Sequence, residues 1–315
     1  MSDREPAIGA VNTFIKKIMK MNVDGMIPVA FRGQKNCKWD AIPSIFRTVH
    51  AHAYKKEHLI VRDIVSVHPT EFESDKTMFD RLVRMQHYSL PTRLLDVTIN
   101  PLVSLWFATE ECLDVEINKN GKKRKKNVDG KVFLYFVSSE NIKYYDSDTV
   151  SCLANLSNLE CEHKEKLLEN ARSSLKSGYT RDGIIENFNK ECEVGKLHYQ
   201  VGMEKPHFMK IINPEHFISP LYVKPKMSNK RIIAQSGAFL LYPANPTDYN
   251  EISFPINDLT FPIKKPKYPI MTLTVSIKAG YKMKIRNELE KLGIHAGSLF
   301  PEMDKTSEYI LKQYL

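Results

Sequence analysis

The distribution of two hydrophobic periods along the chain is the feature that most constrains its fold. Residues 271–277 alternate apolar side chains with Thr and Ser, which is the two-residue period of a strand with one buried face. Residues 27–33 predict another strand, which ends in a turn at Gly33. From 150 to 200 leucines recur at helical spacing instead. Because strands lie towards both ends and helices fill the middle, we expect one α+β domain with a mixed or antiparallel sheet and a helical insert at 145–205.

Local signals add further elements. Asn100-Pro101 places a preferred N-cap before a proline at the first helical position, so a helix should begin there. A run from Lys119 to Asn127 has no apolar residue and predicts a solvated basic loop within 117–130. The remaining patterns predict helices at 11–21, 59–67, 79–86, 101–113 and 285–292, and strands at 131–137 and within 231–242.

Composition limits the class of protein. With 315 residues, of which 42% are hydrophobic, the chain can bury a core without metals or disulfides. Five scattered cysteines fit neither a disulfide framework nor zinc spacing, which favours a reducing, cytoplasmic location. No apolar run approaches the ~18 residues of a membrane span, so we expect no membrane association. The net charge of +9 permits an anionic partner, but a basic surface that only aids solubility is an equal alternative.

The segment from Gln86 to Thr98 is the densest in polar side chains. It places His87, Thr92, Arg93 and Asp96 among apolar neighbours that should bury part of them. Buried polar groups need partners, so these residues either form an active site or brace the fold. An Arg93–Asp96 salt bridge that pins a loop is the structural alternative at this spacing.

Several sequence blocks follow one another along the chain: Phe31-Arg-Gly-Gln34, Pro43-Ser-Ile-Phe-Arg47, Gln86-His-Tyr-x-Leu-Pro-Thr-Arg-Leu-Leu-Asp96, Asn100-Pro-Leu-Val, Arg231-Ile-x-x-Gln-x-Gly-Ala-Phe239 and Gly293-Ile-x-x-x-Ser-Leu-Phe-Pro-Glu-x-Asp304. In this order they resemble the FRG-domain family. The sequence departs from the family at Ser89, where glycine is usual, and at Val97, where an aromatic residue is common. The resemblance implies a single FRG-type domain over 1–315, in a bacterial or phage-associated protein often encoded beside defence or toxin genes. It specifies no reaction.

A second resemblance is to ADP-ribosyltransferases that use an arginine, a Ser/Thr strand and a glutamate. The strand end Phe31-Arg32-Gly33 is similar to their first motif, and the segment 91–98 followed by a helix is similar to their second. The resemblance implies the ADP-ribosyltransferase fold and NAD as substrate. A planar guanidinium can donate two hydrogen bonds to a pyrophosphate, which suits Arg32 as the anchor. The residues expected to bind NAD are Arg32, Gly33, Gln34, Thr92 and Arg93.

The catalytic acid is less well placed by this resemblance. Cleavage of the nicotinamide–ribose bond develops positive charge, so a carboxylate or amide should lie near the ribose. Where the third motif should carry a glutamate, this chain has Gln235 followed by Ser236 and Gly237. Glu302 or Asp304 could supply the acid from elsewhere, although Gln235 could equally be a core amide and Glu302 a surface carboxylate. The candidate catalytic residues are Arg32, His87, Asp96, Gln235 and Glu302.

A nucleic-acid partner is suggested by basic residues with interleaved aromatics. Between residues 224 and 286, lysines and arginines lie among Tyr222, Tyr242, Tyr268 and Tyr281, whose rings could stack on unpaired bases. RNA is favoured over DNA, and an antitoxin or chaperone protein is a further candidate partner. No RNA-binding module motif is present, so this expectation rests on composition.

Three functions remain open from the sequence. The leading one is an NAD-dependent ADP-ribosyltransferase-like toxin or antiphage effector that modifies nucleic acid. The second is a non-catalytic nucleic-acid-binding or sensor module, and the third is a nuclease that uses His87, Asp96 and Glu302 with a divalent metal. No H-E-x-x-H pattern or Gly-rich phosphate loop is present, so no metal ligands are assigned. All three share one expectation: Arg32, His87–Asp96, Gln235 and Glu302 should converge on one cleft.

Overall fold

The computed structural model describes residues 8–21, 28–117, 123–246, 253–255 and 270–315. The strands are β1 (Ala30–Gln34), β2 (Leu94–Thr98), β3 (Leu113–Ile117), β4 (Lys123–Asn127), β5 (Gly130–Val137), β6 (Ile142–Tyr144), β7 (Leu221–Lys224), β8 (Gly237–Leu241), β9 (Ser253–Pro255) and β10 (Ile270–Ile277). The helices are α1 (Val11–Met19), α2 (Ala51–Lys55), α3 (Glu57–Val67), α4 (Pro69–Phe72), α5 (Met78–His87), α6 (Pro101–Ala108), α7 (Asp148–Asn155), α8 (Cys161–Ser174), α9 (Arg181–Phe188), α10 (Cys192–Glu204), α11 (Lys230–Ala234), α12 (Lys282–Lys291), α13 (Ala296–Leu299) and α14 (Met303–Lys312).

Strands from both ends of the chain meet in one sheet. Within the described residues this sheet has eight strands in the order β6-β7-β8-β2-β1-β5-β10-β9. The β6–β7 and β10–β9 pairs are parallel and the other neighbours are antiparallel. β10 pairs with β5 over its whole length, from Ile270↔Val137 to Ile277↔Gly130. The α+β class and the mixed sheet are therefore confirmed.

Apolar residues alternate between the two faces of the sheet and so build separate cores. On β5, Val132, Leu134 and Phe136 pack with α1, α6 and α12, whereas Phe133 and Tyr135 point to the other face. On the face of the sheet that carries α1, α6 and α12, a second apolar cluster lies beside β2, β7 and β8 and includes residues of α5, α7, α8 and α10. One face of the sheet thus carries two adjoining helical cores, and the junction between them lies near β1 and β2.

The middle of the chain is helical, as the leucine spacing indicates. α7, α8, α9 and α10 follow one another between residues 148 and 204 and bury their leucines in one cluster. None of the helices in the described ranges combines the length and the apolar character needed to cross a membrane.

Two predicted strands or loops differ from the structure. Residues 230–234 form α11, because the Asn229 side chain accepts a hydrogen bond from the Arg231 N–H and caps a short helix before β8 begins at Gly237. The predicted basic loop at 117–130 contains β4, which pairs antiparallel with β3 in a register that sets Asp114 opposite Lys126. An acidic partner strand stabilises such a basic strand, and the charged run alone does not reveal it. Residues 118–122 of that loop lie outside the described residues.

Two further differences concern the helices. The helix that begins at Pro101 ends at Ala108 rather than at 113, and the Thr109 hydroxyl donates back to the Trp106 carbonyl at this end. Two helices that the sequence patterns do not predict, α13 and α14, follow the predicted helix at 285–292. Gly293 has φ 78°, a left-handed conformation that favours glycine after a helix.

Candidate functional site

The sheet opens between its two central strands, and a cleft lies at this opening. β1 and β2 share a single register pair, Phe31↔Thr98, although each forms five pairs with the strand on its other side. A cavity of about 280 Å³ lies here. Polar side chains from four segments line it: Arg32, Gln86, His87, Asp96, Arg231 and Gln235.

Arg32 spans the opening from the β1 side. Its Nη1 donates to the main-chain carbonyl of Asp96 at 2.5 Å, which fixes the guanidinium across the gap. Its Nε is buried and has no hydrogen-bond partner among the described residues. A buried donor without a partner costs free energy unless a bound group accepts from it. Arg32 is therefore held by one bond and keeps a donor for a ligand.

A second guanidinium adds positive charge beside Arg32. Burial lowers the pKa of Arg47, and the nearby charge of Arg32 lowers it further, whereas Asp96 opposes both effects. Arg47 remains protonated, because its ordinary pKa is far above neutrality. The positive charges of Arg32 and Arg47 thus lie near the single negative charge of Asp96. The excess positive charge favours a bound anion in this part of the cleft.

Gly33 lines the cavity but is needed for packing. A Cβ at this position would lie 1.8 Å from the Ser104 carbonyl oxygen and 2.8 Å from the Ala108 nitrogen, both in the backbone of α6. No real Cβ makes such contacts, so α6 can cross β1 at this distance only over a glycine. The glycine of the Phe-Arg-Gly block thus positions α6, whatever else it contacts.

Gln86, at the end of α5, organises the acidic side of the cleft. Its Nε2 donates to Asp96 Oδ2 at 2.7 Å, and its Oε1 accepts from the Thr92 hydroxyl. The amide thereby orients the Asp96 carboxylate towards the cavity. Its place at the start of the polar segment was a signal for this role, but the sequence hypothesis omits Gln86 from the candidate residues.

The C-terminal segment completes the cleft. His87 Nε2 lies 3.4 Å from Glu302 Oε1, and Glu302 Oε2 is buried without a hydrogen-bond partner in the described residues. Gln235 Nε2 donates to the Leu299 carbonyl at 3.1 Å, and the main-chain carbonyl of Gln235 accepts from the Thr98 hydroxyl at 2.7 Å. Arg32, His87, Asp96 and Gln235 therefore line one cavity, whereas Glu302 is not among its lining residues and lies next to it through its contact with His87.

Three of the residues assigned to NAD lie away from this surface. Thr92 is 1% exposed, and Gln34, at 7%, donates to the Asp40 carbonyl at 3.2 Å. Arg93 is fully buried, and it pairs with Glu57 rather than with Asp96. Direct contact of Arg93 with a dinucleotide and the Arg93–Asp96 salt bridge are therefore both wrong, because the guanidinium is already satisfied inside the protein.

Arg93 belongs to a buried charge cluster that the sequence hypothesis missed. Its Nη2 and Nε contact the two Glu57 oxygens at 2.5 and 3.1 Å, and Lys164 Nζ contacts Glu57 Oε2 at 2.5 Å. Burial by itself would raise the pKa of Glu57, but Arg93 and Lys164 outweigh burial and lower it to about 2. Burial lowers the pKa of Lys164. The cluster ties α3 and α8 to Arg93, the residue that directly precedes β2.

Two other expected sets of residues are not assembled. Tyr222 and Tyr242 are 3% and 1% exposed, so these tyrosines are core residues and cannot stack on bases. Tyr268 lies outside the described residues. Among the residues that the structure describes, no three His, Cys, Asp or Glu side chains form a group able to hold a metal ion.

Comparison with known families bears on the first part of the cleft. Residues 28–116 match the family described as the FRG domain. No curated protein and no solved structure matches the chain. The matched residues include Arg32, Gln86, His87 and Asp96, whereas Gln235 and Glu302 lie beyond them, and a single domain over 1–315 stays a prediction. The stretch that is similar to the FRG domain, residues 28–116, supplies the Arg32 and Asp96 sides of the cleft.

Proposed function

We propose that the cleft binds NAD and that the protein is an ADP-ribosyltransferase-like enzyme, a toxin or antiphage effector that modifies nucleic acid. The observation that carries the proposal is the position of Arg32. Its guanidinium is fixed at the opening between β1 and β2 with a buried Nε that lacks a partner, beside the cavity that Asp96 lines. An arginine held in this way suits a bidentate contact to a pyrophosphate.

The other residues of the cleft take complementary roles in this proposal. Arg47 adds positive charge for the phosphates. Asp96, oriented by Gln86, and Glu302, next to His87, offer the negative charge that favours a positively charged ribose in the transition state. Gln235 is engaged by the Leu299 carbonyl and therefore positions the C-terminal segment rather than the ribose. In this proposal NAD supplies the transferable ADP-ribose group, and the protein binds and orients it.

A metal-dependent nuclease is not favoured by the geometry. His87 and Glu302 are in contact, but the described residues bring no third carboxylate, histidine or cysteine into a metal-binding group with them. A non-catalytic binding module is one outcome of the experiment below.

The direct test is transfer of label from radiolabelled NAD. The purified protein is incubated with labelled NAD and, separately, RNA, DNA and protein acceptors, and we expect label in the RNA. Glu302→Gln should reduce transfer by roughly 100-fold, the scale of losing one electrostatic group of an active site. Glu308→Gln is the matched control, since Glu308 lies in α14, which Glu302 directly precedes, and forms an exposed ion pair with Lys305. Absence of transfer to every acceptor, or strand cleavage that needs metal and not NAD, would refute the proposal.

A further inference from the structure

We propose that a second cavity beside the cleft binds an unpaired base of a single-stranded nucleic acid, whose backbone follows the basic segment 224–231. This inference rests on the proposed function, because it names the acceptor site of the same enzyme. It follows from the shape of the two cavities, one exposed tyrosine and the charge of one segment.

The two cavities adjoin. The second has a volume of about 280 Å³ and is lined by Tyr88, Lys226 and Ser228, among others. Val83, His87 and Asn229 line both cavities. A group bound in the second cavity therefore abuts the first one through His87. This is the arrangement that a transfer reaction between two substrates requires, because both must meet at one place.

Tyr88 is placed to stack on a base at the second cavity. Its side chain is 64% exposed, although large aromatic side chains are usually buried. Its ring packs edge to face on His87, with centroids 5.1 Å apart and an interplanar angle of 88°. One ring edge is thus held by the histidine while the ring remains open to solvent. Stacking on exposed aromatics is the main sequence-independent contact to unpaired bases.

The segment 224–231 carries positive charge and contributes Lys226 to the lining of the same cavity. It contains Lys224, Lys226, Lys230 and Arg231 and no acidic residue. The three lysines are exposed, and Lys226 lines the cavity with Tyr88. Lys224 Nζ lies 5.2 Å from the ring centroid of Tyr144, which is itself 61% exposed. Exposed lysines interleaved with exposed aromatics are typical of surfaces that bind single strands.

Two acidic residues also line the second cavity. Asp75 forms two hydrogen bonds with Arg84, at 2.7 and 2.8 Å, so Arg84 neutralises its charge. Asp80 caps α5 by accepting from the Thr77 N–H at 3.3 Å and keeps its charge. The positive charge available to a nucleic acid therefore comes from the exposed lysines of 224–231. A base can enter such a cavity only when it is unstacked, so a single strand is favoured over a duplex.

Oligonucleotide binding in the absence of NAD tests the site. A fluorescent 12-nucleotide RNA is titrated as a single strand and as a duplex, at several salt concentrations. We expect Tyr88→Ala to weaken binding of the single strand by roughly 10-fold or more, and Tyr88→Phe to retain it, because stacking needs the ring and not the hydroxyl. The duplex should bind more weakly than the single strand.

The charge of the segment is tested with a matched pair of double variants. Lys226→Gln/Lys230→Gln should reduce the slope of log affinity against log salt by about 1.4, since each contact to a single strand contributes about 0.7. Lys125→Gln/Lys126→Gln removes the same charge from β4, none of whose described residues lines either cavity, and should leave the slope unchanged. Full affinity in Tyr88→Ala, or a slope that changes only in the β4 variant, would overturn the inference. This titration contains no NAD, so its result does not depend on catalysis. If the protein binds RNA tightly here but transfers no label in the NAD experiment, the proposed enzyme is refuted and the binding surface is not.

Discussion

Ser89 follows α5 with a backbone φ of 65°, in the left-handed region where a Cβ is unfavourable. Glycine, which has no Cβ, has no such cost. We expect Ser89→Gly to raise the free energy of unfolding by about 0.5–1 kcal/mol, after allowing for the greater freedom of glycine in the unfolded chain. Chemical denaturation measures this value. Ser173→Gly is the control: Ser173 is exposed within α8, and this change should lower the free energy of unfolding by roughly 0.5 kcal/mol. A loss of stability in Ser89→Gly would show that the backbone at Ser89 is not strained.

Gly33 illustrates how one residue sets the approach of two elements. A methyl group here would meet the α6 backbone at 1.8 Å, so Gly33→Ala must move the helix away from β1. We expect a loss of about 3 kcal/mol or more, typical of severe overpacking in a core. Gly202→Ala is the control, because Gly202 lies in α10 with nothing within 4 Å, and it should be neutral or stabilising. Equal melting temperatures for the two variants would show that α6 does not pack as described.

At the scale of elements, the Glu57 cluster ties α3 and α8 to Arg93, which directly precedes β2. Glu57→Gln leaves Arg93 and Lys164 as two buried cations without their carboxylate. Breaking a buried ion pair costs about 3–5 kcal/mol, and we expect a loss of that size in urea denaturation. Glu186→Gln is the matched control, because the pair of Glu186 with Lys190 is exposed, and it should hardly change stability. A small effect of Glu57→Gln would mean that the cluster does not brace the fold.

The same elements show what a sequence can and cannot reveal. β10 and the start of α6 are local features, since alternation and an Asn-Pro cap are visible within a few residues, and both were predicted well. The role of Arg93 depends on Glu57, 36 positions away, and on Lys164, which lies 107 positions from Glu57. Such partners are not visible in a linear pattern. Arg32 and Arg93 look alike in sequence, but only the fold separates the cleft arginine from the buried one.

At the scale of the whole molecule, Glu57 makes stability depend on pH. Its pKa falls from an ordinary 4.5 to about 2 in the folded protein, so the unfolded chain binds the proton more readily. The contribution is therefore complete above about pH 4.5 and is lost as the pH falls towards 2, and it amounts to roughly 3 kcal/mol. We expect the stability difference between wild type and Glu57→Gln, measured by urea denaturation, to shrink over this window. A difference that is constant from pH 7 to pH 3 would contradict the lowered pKa.

The sequence predicts that distant segments meet at the cleft, but it does not predict the hydrogen bonds and strand pairing that shape the cleft. Polar blocks set in apolar runs mark strand and helix ends, and on this basis the sequence predicts that Arg32, His87, Asp96 and Gln235 lie near one another, as they do around the cavity. The opening between β1 and β2, the bond from Arg32 to a main-chain carbonyl and the position of Gln86 depend on strand pairing. The exposed Tyr88 could be told from the buried Tyr222 and Tyr242 only from the fold.

The most direct measurement of the central claim is thermal unfolding of wild type, Arg32→Lys and Arg286→Lys, each with and without saturating NAD. Arg286 is the matched control, since it also donates to a main-chain carbonyl, that of Trp106, but does not line the cleft. We expect NAD at 100 times its Kd to stabilise wild type by about 2.7 kcal/mol and so to raise its melting temperature. Arg286→Lys should keep this rise, while Arg32→Lys should lose most of it with little change in its melting temperature without NAD, because lysine cannot make the bidentate contact. A wild type whose melting temperature ignores saturating NAD, or an Arg32→Lys variant that keeps the full rise, would contradict the account.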